Sequence, residues 1–429
     1  MVKKTKRVAL LIETSRAYGR GVFAGIADFI ASNPHWTILY QERYLEQCAP
    51  ESLLDEKPDG ILMRVGDPRI SRDIIQLRIP VVDLLDEPRK DGCPVCLIDD
   101  FAVADLAADH FVNNGFINFA FCGFPNVPFS ERRKMGFVSA LRQRNFKASV
   151  YRSTGSTPNF HWAEEYGYRE IESIARWLAD LPKPIGLFAC NDVRALQVLQ
   201  ACRLRDLPVP AAIAVLGVDN DEVITQLTQP KLTSIQPDTF KTGFQACICL
   251  DRLMAGKPPP VRIELIPPQG IAERESTNSV GTTDELVAAA IRLIRQRACE
   301  GLMVKEVLDA LRISRTHLDT RFKEAIGHSV HEEIVRVKRK RVCQLLLASD
   351  HTLAEIAERT GYFSVSDLSR SFQRTFGSWP GEYRKRARSK VQKLKGPNLN
   401  FQQWAYSFNT MPNGIQERDT GVSMGISPN

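Results

Sequence analysis

The sequence predicts an α/β chain: two successive doubly wound halves, followed by an all-α segment that carries two helix-turn-helix units. Three observations predict it. Short apolar runs alternate with helical spacing through roughly the first 275 residues. Nearer the end, Leu318, Phe322 and Gly327 return as Leu368, Phe372 and Gly377, a repeat of 50 residues. The basic charge of the chain is confined to that duplicated stretch.

The first half opens on Val8–Ile12, a continuous apolar run of strand length, as expected for a parallel strand covered on both faces. Val22, Ile26, Phe29 and Ile30 then recur at helical spacing. Further strand-length runs follow at Trp36–Tyr40, Gly60–Met63, Val81–Leu84 and Val95–Ile98, and a helix is expected over Phe101–Asn114. The pattern then restarts with strands at Phe119–Cys122, Ser149–Tyr151, Leu187–Ala189 and Ile213–Val218, and helices from Glu131, Glu164 and Val193. In such sheets ligands sit outside the carboxyl ends of the strands, and two facing halves leave a cleft between them.

The segment Ser276–Thr283 is short, polar and glycine-containing, which is the composition of a linker. Helical spacing resumes at Asp284. Within Thr352–Arg384, Ile356 and Ala357 share the apolar face of one short helix, Gly361 supplies a tight turn, and Ser364 is the N-cap of a second helix. Leu368, Phe372 and Phe376 face inward on that second helix. Helix, short turn, helix is the frame that presents a recognition helix to the DNA major groove. In the earlier copy Ser314 is the cap. The outward positions, and so the candidate DNA contacts, are Arg315, Thr316, Asp319 and Thr320 in the first unit and Ser366, Ser369, Arg370 and Arg374 in the second. The run Lys338–Arg341 reads equally as surface charge or as phosphate contacts. A disordered tail is expected over 396–429, where Asn, Gly, Ser and Pro dominate.

Composition bounds the function. A chain of 429 residues has room for two or three domains. No apolar run reaches the ~18 residues of a membrane span, and Glu13 interrupts the first apolar stretch too early for a secretory signal. A cytoplasmic location is therefore expected. The net charge is +7. Residues 284–395 hold 23 Lys and Arg against 14 Asp and Glu, a net of +9, while 1–283 and 396–429 each net −1. That asymmetry is what a polyanion-binding module requires. The ten cysteines lie singly apart from Cys93/Cys96 and Cys247/Cys249, with no second pair at ligand spacing, so buried thiols are expected and no metal or other cofactor. No nucleophile elbow, phosphate loop or zinc-protease motif is present, and an enzyme is not expected.

The strings Ala354–Tyr362, Leu368–Gly377 and Pro380–Arg384 resemble the C-terminal signature of AraC-type regulators, which carry two helix-turn-helix units joined by a linker helix. Ser130–Phe137, Ala189–Asp192, Val215–Asn220 and Leu232–Ile235 resemble the effector-binding core of LacI/GalR-type repressors, whose fold is that of periplasmic sugar-binding proteins. The second resemblance covers about 7–275. With the first strand starting at Val8, no N-terminal DNA-binding headpiece is expected; the DNA reader sits at the other end.

Together the resemblances imply a two-lobed, periplasmic-binding-protein-like sensor joined to an all-α AraC-type double helix-turn-helix domain. Lobe 1 is then about 7–112 and 237–256, lobe 2 about 113–236 and 257–275, the linker 276–283, and the DNA-binding domain 284–390. This order of parts is similar to that of the xylose operon activator family. The likeness implies a homodimeric activator that binds paired operator half-sites, responds to D-xylose and engages RNA polymerase. Another pentose or hexose, or repression in place of activation, is the alternative. Asn191 stands where that family often has Thr.

A sugar needs carboxylates, amides and guanidiniums at strand ends, together with an aromatic face. By resemblance to the sugar repressors, Asp100, Arg133, Trp162, Asn191 and Asp219 match ligand-contacting positions, with Asp192 beside them and Tyr18 and Arg20 from the opposing lobe. Asp100 and Asn191 could instead cap helices, Trp162 could be core, and Arg133 a solvated charge.

Overall fold

In the computed structural model the chain is described at residues 5–42, 55–65, 73–74, 76–85, 93–153, 160–282 and 284–385, excepting the side chains of 160–162, 340, 347 and 348. It divides at Ala288/Ala289 into two compact units, with Lys323–Gly327 grouped with the first.

The first unit begins with β1 (Lys6–Leu11), α1 (Ala17–Ser32), β2 (Trp36–Tyr40), β3 (Gly60–Met63), β4 (Val81–Asp83) and β5 (Val95–Ile98). Leaving β5, the chain enters α2 (Asp100–Asn113), β6 (Asn118–Cys122), α3 (Pro128–Gln143), β7 (Ala148–Val150), α4 (Phe160–Arg169) and α5 (Ile171–Asp180). Next come β8 (Ile185–Ala189), α6 (Asp192–Leu204), β9 (Ile213–Val218), α7 (Glu222–Leu227) and β10 (Thr233–Gln236). The chain then runs through α8 (Thr239–Met254), β11 (Ile263–Ile266) and β12 (Gly270–Ala272). Among the described residues two six-stranded sheets result, ordered β11-β5-β4-β3-β1-β2 and β12-β10-β9-β8-β6-β7. All pairings are parallel except β10 with β12. The apolar runs of β3, β8 and β9 are buried along their whole length, as strands covered on both faces must be.

The chain thus passes between the two sheets three times, between β5 and α2, β10 and α8, and β11 and β12. Asp99 makes the first passage and caps α2, its carboxylate accepting from the N–H groups of Phe101 and Ala102 at 3.1 and 2.9 Å. Asp238 caps α8 in the same way at the second. On the first sheet α1 and α8 cross closely enough to need glycine. A Cβ on Gly25 would lie 1.9 Å from the Phe240 carbonyl oxygen, and one on Gly243 2.1 Å from that of Val22.

Two of the expected lobe boundaries need correction. The expected first crossing at 112/113 is too late, because α2 already belongs to the second lobe. Ala104 and Phe101 pack against Gly136 of α3, and Phe111 covers Gly186 of β8. Segment 257–275, expected wholly in lobe 2, is divided: β11 pairs with β5 in lobe 1, and only β12 joins β10. Helical period reveals that a helix exists but not which sheet it covers. The expected linker is also corrected at its start. Ser276 is fully buried, accepting from Thr233 N at 2.8 Å and donating to the Val215 carbonyl at 2.6 Å, so 275–277 is part of lobe 2.

In the second unit the described elements are the end of α9 (Glu285–Arg297), then α10 (Val304–Leu311), α11 (Arg315–Ile326), α12 (Val330–Ala348), α13 (Leu353–Arg359) and α14 (Val365–Phe376), with a final helical stretch at 380–385. The expected duplication is visible: α11 and α14 are each 12 residues, offset by 50. Leu318, Phe322 and Leu368 are fully buried and Phe372 is 1% exposed. Ser314 and Ser364 cap the two helices. At the turn preceding each second helix the copies differ. Gly361 has φ +66° and would bring a Cβ within 2.6 Å of Gly301 N, whereas Arg312 occupies the left-handed region (φ +52°) in the first copy. Residues 396–429, expected to be a disordered tail, lie outside the described residues.

Candidate ligand cleft and nucleic-acid interface

Between the two sheets of the first unit lies a cleft spanning about 680 Å³ of space, part of it open to solvent. Strand ends and helix starts supply its walls, as doubly wound sheets require. From the first lobe come Arg16, Tyr18 and Arg64, backed by Leu84, Leu97 and Ile98. From the second come Asp100, Arg132, Arg133, Asn191, Asp192 and Asp219, with Glu164, Asp221 and Phe129 beside them.

The second-lobe wall is an interlocked charge network. Arg132 and Arg133 donate through Nε to the two oxygens of Asp100, at 2.7 and 2.8 Å. Arg133 also donates to the Cys190 carbonyl at 2.5 Å and lies over the Phe129 ring, 4.9 Å from its centroid. Both residues are buried, Arg133 being 3% exposed. Arg133 is therefore not a solvated charge, and Asp100 is not the cap of α2, a task that Asp99 performs. Burial opposes the Arg133 charge, yet Asp100 and Asp219 hold it firmly protonated.

Asn191 serves two purposes. Its Oδ1 accepts from Arg194 N at 2.9 Å, capping α6, and its Nδ2 donates to Glu164 at 2.9 Å. Asp192 lines the cleft, but Ser234 Oγ and Asp221 N occupy its two oxygens at 2.6 and 2.8 Å. Burial, with the Asp219 charge next, pushes its carboxyl well up. Asp219 has a backbone that sequence did not suggest: φ is +108°, a region L-residues rarely adopt. The strained turn ends β9 and its N–H still donates to Ile235 O at 3.0 Å. Burial raises its carboxyl from 3.8 to about 6, against the pull of Arg133 and Arg64.

From the first lobe, Tyr18 sits in the cleft at 8% exposure. Arg20 is corrected: it is exposed and outside the lining, donates to the Thr14 carbonyl at 2.9 Å and lies 3.9 Å from Asp221. It sits on α1 beyond the turn that brings Tyr18 inward. The Trp162 side chain lies outside the described residues. Arg16, Arg64, Arg132, Glu164 and Asp221 were missed. Arg64 directly follows β3, so the strand-end rule that selected Asp219 also selects it. Glu164 had no such signal, because its place in the cleft depends on how α4 packs.

On the helix-turn-helix units, Arg315, Thr316, Thr320, Ser366, Arg370 and Arg374 are exposed as expected, and Ser369 is half-buried. Asp319 is a correction. Its Oδ1 accepts from Val330 N at 3.1 Å, with Arg315 3.6 Å away, so it ties α11 to the start of α12. The basic run on α12 is also partly structural. Lys338 is 9% exposed, donates to the Gly361 carbonyl at 2.8 Å and faces the Tyr362 ring at 5.6 Å. Arg339 donates to Thr375 Oγ1.

Comparison with known proteins gives matches along the chain. A family model described as XylR N-terminal domain matches residues 7–87, a periplasmic binding protein-like domain 108–277, and a helix-turn-helix domain 307–386. The xylose operon regulatory protein of Escherichia coli (strain K12) is 30% identical over 392 residues, 90% of this chain and 98% of that protein. Its counterpart in Haemophilus influenzae is also 30% identical, covering 99% of that protein. A solved structure of a xylose-binding transcription activator, xylR, aligns over 90% of this chain and 99% of its own with 29% identity and a TM-score of 0.55. A cellobiose complex of the transcriptional regulator CelR aligns over 64% of this chain with 17% identity and a TM-score of 0.52, a likeness of fold alone.

Proposed function

The chain belongs to the family of xylose operon regulatory proteins, and we propose that it binds a neutral sugar, D-xylose first among candidates, in the cleft between its lobes and converts that binding into altered DNA contact. The observation that carries this reading is the cleft itself. It is faced by guanidiniums from both lobes and by carboxylates from the second, and spanned by three chain passages about which the lobes can close. Sugar hydroxyls donate and accept, so Asp219 and Asn191 would take them as acceptor and amide, Arg133 and Asp100 would present a fixed charge pair, and Tyr18 an aromatic surface. Asp192 accepts one hydrogen bond at each oxygen, from Ser234 and from Asp221 N, so it supports Asp221 and would meet the sugar only through its remaining lone pairs.

DNA contact falls to the two helix-turn-helix units through Arg315, Thr316, Thr320, Ser366, Ser369, Arg370 and Arg374. A homodimer would place four such units on paired half-sites, and activation would follow through RNA polymerase. A sugar shifts DNA affinity only by binding the DNA-competent arrangement more tightly than the other.

Titration calorimetry with D-xylose, L-arabinose, D-ribose and D-glucose tests the first step, and fluorescence anisotropy on DNA with and without the binding sugar tests the second. Saturable binding that Asp219→Ala abolishes supports the reading. DNA affinity indifferent to every sugar sinks it. Binding of a sugar other than xylose keeps the architecture and replaces the effector.

A further inference from the structure

Lobe closure on a sugar needs polar contacts from both walls of the cleft, because a ligand held by one lobe alone has no differential affinity for the closed form. Among the described residues, the polar side chains on the first-lobe wall are those of Arg16, Tyr18 and Arg64. Arg16 is engaged across the cleft by Glu164. Arg64 is different.

Its guanidinium lies 4.4 Å above the centre of the Tyr18 ring and donates through Nη1 to Glu13. Both partners belong to its own lobe and fix the plane of the fork. Arg64 is 7% exposed and Glu13 fully buried, yet the pair is incompletely satisfied: Arg64 Nε and Glu13 Oε2 have no hydrogen-bond partner among the described residues. A buried ion pair normally survives only with its remaining donors and acceptors taken up. Removal of charge from water is costly here, and the orphaned Nε belongs to a residue that lines the cleft. The Arg64 charge also acts on Asp219, which reaches the cleft from the opposite lobe.

Resting on the sugar-binding reading above, we propose that Arg64 is a specificity-determining residue: held flat by Tyr18 and Glu13, it donates to a hydroxyl oxygen of the sugar from the first-lobe side, opposite Asp219. The ligand class is a neutral polyhydroxylated ring with adjacent hydroxyls, one accepting from Arg64 and one donating to Asp219. A lysine cannot reproduce this, since its ammonium neither stacks on Tyr18 nor holds a fork towards two partners.

The test uses the full chain as wild type, Arg64→Lys and Arg64→Met. Each is titrated calorimetrically with D-xylose, L-arabinose, D-ribose and D-glucose, and with monodeoxy analogues of whichever sugar the wild type binds; thermal melts are recorded in parallel. Arg64→Lys should raise Kd at least about 10-fold, the scale of a lost charge-assisted hydrogen bond. One monodeoxy analogue should bind the wild type at least about 10-fold more weakly than its parent, while Arg64→Lys should not distinguish the two. A Kd for Arg64→Lys within about twofold of wild type overturns the proposal, and so does equal discrimination by both proteins. If neither variant folds, wild-type affinity lost at fewer than two adjacent hydroxyl deletions overturns it, and loss at two adjacent deletions upholds it. Silence of the wild type towards all four sugars removes the sugar reading itself, whereas wild-type binding with an indifferent Arg64→Lys removes only the role of Arg64.

Discussion

Arg16, one residue ahead of α1 in the first lobe, forms an ion pair with Glu164 on α4 of the second. Glu164 is buried and its other oxygen accepts from Asn191 at 2.9 Å, so the residue that caps α6 is linked through one carboxylate to the opposite lobe. The Ala17 N–H lies 3.4 Å from Asp221, which itself caps α7. The start of α1 is thus held against two acids of the other lobe, and these contacts favour the arrangement in which the two meet.

Glu164→Gln is expected to loosen that hold. Arg16 is 44% exposed on its side chain, so screening limits the pair to about 1 kcal/mol. Kd for the effector sugar should rise by up to about 5-fold in low salt, and less in high salt. Calorimetry at two ionic strengths checks it. An unchanged Kd would mean that the pair does not bias closure.

Asp219 sets function against stability. Its carboxyl is raised by burial from 3.8 to about 6. The native state therefore takes up the proton more readily than the unfolded chain. The cost of holding the charge is absent below about pH 4, grows as pH rises to about 6, and is fully present above it. Asp219→Asn should raise unfolding free energy near pH 7.5 by up to about 3 kcal/mol and leave it nearly unchanged at pH 4. Urea titrations at the two pH values measure this. Sugar affinity of the wild type should fall as pH drops through 6, and Asp219→Asn should lack that dependence.

Glu333 gives the opposite sign. Burial would raise its carboxyl, but hydrogen bonds from His328 and Arg336, at 2.8 and 2.6 Å, and their charges bring it down to about 2. Its contribution to stability is present above its ordinary value of 4.5 and is lost as pH falls towards 2. Glu333→Gln should cost about 3 kcal/mol at neutral pH, an upper figure, and much less at pH 3. Chemical unfolding followed by helical circular dichroism checks it.

On the second helix-turn-helix unit, Arg370 and Lys338 should separate by role. Arg370 is exposed and Lys338 is buried against the Gly361 carbonyl. Arg370→Ala should weaken binding to a DNA fragment obtained by in vitro selection by roughly 10- to 100-fold with little change in melting temperature. Lys338→Met should instead lower the melting temperature. Anisotropy and thermal melts on both variants decide; equal DNA losses at unchanged stability would place Lys338 on the DNA.

The alternation of apolar runs was enough to read nine of the twelve described strands, though not β10, β11 or β12, and the repeat linking Leu318 to Leu368 was enough to read the duplicated helical unit. Resemblance to the sugar repressors, with strand-end position for Asp100, Asn191 and Asp219, pointed to these three and to Arg133, and all four line the cleft. Strand-end position did not distinguish Asp192, whose oxygens each accept a hydrogen bond, from Asp219, whose charge faces the cleft. The same rule applies to Arg64, but the choice of Glu13 as its partner spans two strands and leaves no trace in spacing.

What the sequence by itself determined is therefore local and periodic: which segments are strands and helices, which faces are apolar, where caps and turns fall, and where the positive charge collects. Those follow from side-chain period and backbone preference over a few residues. Only the tertiary structure decided that α2 belongs to the second lobe, that β11 and β12 part company, that Asp219 sits on a strained turn, and that Arg16 reaches Glu164. Each of these pairs groups distant in the chain, and burial and charge complementarity select the partner only when the surfaces have been brought together.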